Sequence, residues 1–138
     1  MFYHVELTKV AEDAYDRFHT KAQYYTDRGM SHHPAVRRFN AVQKAIDDVL
    51  PVDPCKPERA LAGVMSYLYV FRCRRVTIIY TVNEAKPAVV VQTISRQARN
   101  DSMRNWLCTG LENGELGPVL ETLGIQPYLA RMEVNGLH

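Results

Sequence analysis

Tyr67-Leu68-Tyr69-Val70-Phe71-Arg72-Cys73-Arg74-Arg75-Val76-Thr77-Ile78-Ile79-Tyr80 decides how this chain folds, together with the polar turn Asn83-Glu84-Ala85-Lys86, the apolar run Ala88 to Ile94, and Ser95-Arg96-Gln97-Ala98-Arg99. Val, Ile, Thr and Tyr dominate the apolar positions, which predicts strands near 66–74, 75–82 and 87–95. Arg74 and Arg75 mark a tight bend between the first two strands, or else a kink in one long strand. Residues 83–86 form a hairpin loop to the third. Alternation through the bend places Arg72 and Arg74 on one face and Arg75 on the other. A guanidinium is a planar fork of donors whose charge pH does not remove, so arginines at strand ends suit phosphate. They equally suit a solvated edge that resists pairing with another sheet. Consecutive arginines on a bend repel one another unless an anion joins them.

Upstream, Tyr3, Val5 and Leu7 alternate with His4 and Glu6, the period of a short half-buried strand. Thr8 can cap a helix whose apolar face is Ala11, Tyr15, Phe18, Ala22 and Tyr25. Gly29 supplies its stop. Pro34 suits the first turn of a second helix, with Val36, Phe39, Val42, Ile46 and Val49 or Leu50 at helical spacing. Pro51 and Pro54 end it. Downstream, residues 100–112 read as a helix capped by Asn100 or Asp101, with Met103, Leu107 and Leu111 on one face. Trp106 there reads as packing against the sheet or as part of a partner surface. The expectation is one α+β domain with a core over about residues 3–123. Two N-terminal helices pack on one face of a twisted antiparallel sheet, a C-terminal helix follows, and the other sheet face stays open to bind something.

The 138 residues suffice for one buried core, and 46% hydrophobic with 23% charged residues is ordinary for a globular chain. A net charge of +2 is too small to imply nucleic-acid binding, so clustering has to carry that inference. Cys55, Cys73 and Cys108 form no C-x-x-C pair, and an odd number argues against a disulfide framework, which points to reduced thiols in the cytoplasm. Met1 to Glu6 does not read as a signal peptide, and no apolar run approaches about 18 residues. No His, Cys, Asp or Glu group has metal-ligand spacing, and there is no glycine-rich phosphate loop.

Several of these segments, in their order, resemble the RelE/ParE superfamily of bacterial toxins, and most of all its YhaV-like ribonucleases. Tyr3-His4-Val5-Glu6-Leu7-Thr8 is similar to the family's first strand and helix start, and Leu61-Ala62-Gly63 to the Leu-x-Gly before the central strands. Arg72 through Tyr80 matches the family's arginine strand, and Ile94-Ser95-Arg96 the end of the last one. The chain departs from the family at Arg74 and Arg75, where many relatives carry glycine and an acid. It departs again at Thr77, where many carry arginine, and at Arg96, where some carry an acid–base histidine.

The resemblance implies a toxin that cuts messenger RNA, usually on the ribosome, and is silenced by a cognate antitoxin with which it assembles. Such a cut has the ribose 2′-hydroxyl attack its neighbouring phosphate while cations neutralise the crowded phosphorane. Arg72, Arg74, Arg96 and Arg99 are the expected catalytic cations, with Arg75 and Arg104 as further RNA contacts; no cofactor or metal is required. Arginine is a poor base. His4, His19, His32, His33 and His138 all lie off the central strands, with His32-His33 reading as an exposed linker before a helix. Glu84 and Asp101 read as turn and cap residues that also offer a carboxylate. Tyr67, Tyr69 and Phe71 read as sheet packing or as stacking platforms for bases, and Tyr80 as structural. The competing implications are a ParE-like inhibitor of DNA gyrase that binds without cutting, and a non-catalytic relative.

Overall fold

Strands form where β-branched side chains are densest, and the longest of them organise the molecule. The computed structural model describes residues 2–60 and 68–96. Expectations for Leu61-Ala62-Gly63, Tyr67, Arg99, Asp101, Arg104, Trp106, Cys108, His138 and the C-terminal helix lie outside the described residues. Strand β1 is His4–Leu7, helix α1 is Lys9–Thr26, and helix α2 is Pro34–Lys44. Strands β2 (Tyr69–Cys73), β3 (Val76–Asn83) and β4 (Ala88–Arg96) follow.

The sheet order is β1-β4-β3-β2. The pairs β2–β3 and β3–β4 are antiparallel, as the hairpin signals require, whereas β1 runs parallel to β4 with His4 opposite Ala88 and Leu7 opposite Val91. The expected all-antiparallel sheet is therefore a mixed one. The reason is topological: two helices lie between β1 and the hairpins, long enough for the crossover that a parallel pair demands. A register shift between Ile79 and Tyr80 leaves Gln92 as an extra residue on β4. The Thr8 hydroxyl donates to the freed Gln92 carbonyl at 2.9 Å while accepting from the Ala11 N–H at 3.2 Å. One side chain thus caps α1 and ties it to the sheet.

Both helices cover one face. Ala11 and Ala14 of α1, and Val42 of α2, meet Val76, Ile78, Tyr80, Val89, Val91 and Ile94 in one cluster. Small alanines allow α1 to approach the sheet closely. Each large aliphatic side chain so buried contributes about 1.5–3 kcal/mol. Gly29 follows α1 at φ 73°, a left-handed stop as its residue type predicts. Helix α2 passes into a π-turn at Ala45–Val49, with the Leu50 N–H donating to the Ala45 carbonyl at 2.9 Å before Pro51 ends it.

The opposite face of the sheet is not open. Thr77 and Ile79 are fully buried and Thr93 and Val70 nearly so. The expectation of a free sheet face is corrected at these positions, while Arg72 on the same face stays exposed.

Candidate functional site

The hairpin register brings the arginines together. Cys73 pairs with Val76, so Arg74 and Arg75 form a two-residue turn, and Val76 also pairs with Arg96. Arg75 and Arg96 therefore share one end of the sheet. Arg96 lies two residues beyond the helix-facing Ile94, so alternation aims it toward the helix side. Helix α2 reaches β2 on that side and adds a third cation, Arg38. Partial burial first, and then the positive charges of Arg96 and Arg75, push the Arg38 guanidinium below the ordinary arginine range. Tyr25 acts on it in the opposite sense.

Guanidiniums that repel one another in this way favour the arrival of an anion. Among the described residues, the ion pairs are His4–Glu6 and Lys9–Asp13, so no carboxylate neutralises Arg38, Arg75 or Arg96. Reading the strands alone misses Arg38. Its signal was nevertheless present: residues 35, 38 and 42 share one helical stripe, and Ala35 and Val42 are buried. A cation in an apolar stripe is half-withdrawn from water, so its charge acts at longer range.

The turn is itself unusual. Arg74 has φ 47° and Arg75 φ 61°, the left-handed pair that a two-residue hairpin takes and that Asn-Gly ordinarily supplies. Holding a residue with a Cβ there costs roughly 1–2 kcal/mol. Arginine at both positions is thus opposed by local backbone preference.

Face alternation does not run through such a turn, so the expected pairing of Arg72 with Arg74 against Arg75 is corrected. Arg72 is exposed between Phe71 and Cys73, which pack on the helix-side core, and it pairs with Thr77. It therefore points to the side opposite Arg96. Arg74 is exposed in the turn beside Arg75. Arg75 and Arg96 converge with Arg38; Arg72 does not join them.

The proton-transfer candidates lie elsewhere. Glu84 follows β3, whose eight residues separate it from Arg75 by roughly 25 Å of strand. There it accepts from the Cys55 thiol at 3.4 Å. His4 pairs with Ala88 at that same far end, and His19 packs on the Phe39 ring. His33 is no linker. It caps α2, its Nδ1 accepting from the Ala35 N–H at 3.1 Å, and it stacks on Tyr25 at 3.5 Å between ring centroids. Tyr80 is buried and structural, its hydroxyl donating to the Pro54 carbonyl at 2.7 Å. Tyr69 stacks on Tyr80 at 5.5 Å, and Tyr69 and Phe71 both pack on the core, which makes them sheet packing. Burial pushes the Cys73 thiol up, away from reactivity. Among the described residues, no group of three His, Cys, Asp or Glu side chains is placed to hold a metal ion. No described helix is long and apolar enough to cross a membrane.

No family model matches the chain, and no curated protein matches it. Solved structures do. The toxin–antitoxin complex RelBE2 of Mycobacterium tuberculosis superposes with a TM-score of 0.52 at 15% identity, over 70% of this chain and all (100%) of that one. An arginine-to-alanine double mutant of the Escherichia coli toxin RelE in the free state gives 0.44 at 15% identity, over 72% and 86% of the two chains. The isolated E. coli RelE toxin gives 0.45 at 13%, over 86% and 99%. The RelBE2 likeness bears on the architecture, and at that identity it is a likeness of fold: this chain has a RelE-like α+β fold.

Proposed function

We propose that this chain is the toxin of a type II toxin–antitoxin system, a metal-independent endoribonuclease that cuts messenger RNA on the ribosome. The convergence of Arg38, Arg75 and Arg96 without a neutralising carboxylate among the described residues carries this reading. A phosphodiester in that cluster replaces mutual repulsion with charge-assisted hydrogen bonds. The bonds strengthen as the 2′-hydroxyl attacks and a second negative charge develops on the phosphorane. Removing one such preorganised donor costs about 3–4 kcal/mol. The cluster therefore favours catalysis by charge neutralisation, with proton transfer left to groups that the ribosome or substrate brings. Arg74, Arg99 and Arg104 are further RNA contacts in this proposal, while Arg72 serves as an outlying one. The YhaV-like character rests on the arginine strand and the Ser95-Arg96 ending. RelBE2 was solved as a toxin–antitoxin complex, which favours a cognate antitoxin here, with an acidic segment laid over the cluster.

Induced expression followed by mapping of messenger RNA ends tests the reading. The expected result is rapid translation arrest with new 5′ ends, lost in an Arg75→Ala/Arg96→Ala variant that keeps its fold. Blocked supercoiling and a DNA-damage response without RNA cuts would replace it with gyrase inhibition.

A further inference from the structure

The tip of the α1–α2 hairpin carries aromatic surface that the core does not use. Tyr24 is 51% exposed and Met30 46%, and the Met30 backbone N–H donates to the Tyr25 carbonyl at 2.9 Å. The Arg28 guanidinium carbon lies 3.5 Å from the centroid of the Tyr24 ring, and its Nη1 donates to the Tyr24 carbonyl at 2.8 Å. Tyr24 meets Tyr25 edge-on at 5.1 Å, and Tyr25 stacks on His33 at 3.5 Å with the rings 8° from parallel. Tyr25 also packs against the cluster of Ala22, Val36 and Phe39, so the ladder is fixed to the residue next to Arg38. Asp27, the carboxylate at the end of α1, accepts from Gln23 Nε2 at 2.7 Å. The exposed Arg37 adds a further cation on α2. The tip is thus aromatic and cationic, and Arg38 follows it in the first turns of α2, where Tyr25 acts on its charge.

We propose that this tip is a nucleobase-stacking subsite for single-stranded RNA, holding a base next to the phosphate gripped by Arg38, Arg75 and Arg96. A nucleotide offers two chemical parts, an anionic phosphate and a π-face, and the molecule presents a complement to each side by side. Tyr24 supplies the stacking surface. Arg28 lies across it as a cation that can share the ring with a base, and the Tyr25–His33 stack holds the platform still. Stacking of this kind tolerates any base, so the subsite adds affinity and registers the strand without selecting a sequence. It rests on the phosphate reading of the arginine cluster and goes beyond it.

Fluorescence anisotropy tests it with the full chain and a labelled 2′-O-methyl hexanucleotide, whose blocked hydroxyls prevent cleavage, beside an abasic hexamer of the same charge. Tyr24→Ala is expected to weaken the base-carrying oligomer roughly 5- to 100-fold, as loss of one stacked base does, and to leave the abasic oligomer unchanged. Tyr24→Phe should bind as the native chain does, and Arg38→Gln should weaken both oligomers. If Tyr24→Ala loses its fold by circular dichroism, Tyr24→Leu, which keeps the bulk of the exposed side chain and removes only its π-face, is read in its place with the same selectivity expected. Equal binding of the base-carrying oligomer by native and Tyr24→Ala protein overturns the subsite and leaves the phosphate reading standing. Failure of the native chain to bind either oligomer removes both.

Discussion

Arg38 concentrates the electrostatics of this molecule in one side chain. It is half-buried on α2 and faces the charges of Arg96 and Arg75, so its charged form is disfavoured, and an anion among the three would relieve that. Arg38→Gln is therefore expected to slow RNA cleavage on the order of 100-fold, in the range for one lost donor. The same change should raise the melting temperature at low salt, because a repulsive neighbour is gone. Inorganic phosphate at constant ionic strength should raise the melting temperature of the native chain and not of the variant, as scanning calorimetry can read. Tyr80 shows the opposite logic. Its buried hydroxyl donates to the Pro54 carbonyl and lies 3.4 Å from Arg59 Nη1, so Tyr80→Phe leaves a buried acceptor unpaired. A loss of about 1–3 kcal/mol is expected in denaturant titration, with RNA cleavage unchanged because Tyr80 lies away from the cluster.

At the scale of the element, the β2–β3 turn sets local preference against function. Both of its residues take left-handed backbone that Asn and Gly adopt readily. Arg74→Asn/Arg75→Gly should stabilise the fold by about 1–2 kcal/mol, a rise of several degrees in melting temperature, while cleavage falls. Arg74→Asn alone should give part of the stability and keep most of the activity, since Arg75 is the turn residue that reaches Arg38. If both single variants lose activity equally, the distinction between the two arginines fails. Thr8 is the second such junction. It caps α1 and holds the bulged carbonyl of β4 at once, so Thr8→Val should cost about 1–2 kcal/mol in denaturant titration, more than a cap alone usually does.

Across the whole molecule, burial raises the pKa of Tyr15, Tyr80 and Cys73 above their ordinary values of 10.0 for tyrosine and 9.0 for cysteine. Desolvation is the largest cause for each. In the unfolded chain these groups lose their protons at the ordinary values, while the folded state retains them. The folded state thus binds more protons in that window, and the associated stability is present below pH 9 and lost as pH climbs through the raised values. The urea midpoint should hold level to about pH 9 and fall beyond it, and Tyr80→Phe should flatten that fall. A midpoint unchanged to pH 11 would contradict the burial of these groups.

Local chemistry determined much of this protein. The Val-Ile-Thr runs fixed three strands, Thr8, Gly29 and Pro34 fixed the limits of the helices, and the Asn83 turn follows from its side chain, which accepts from the Ala85 and Lys86 amides. These are effects of neighbours in the chain. Tertiary structure alone decided that β1 lies parallel to β4, that the second sheet face is buried, and that Arg72 turns away from Arg96. It also brought Arg38 from a helix to a strand end some forty to sixty positions away. Such outcomes depend on which distant segments share the core, and no periodicity within one segment encodes the approach of another.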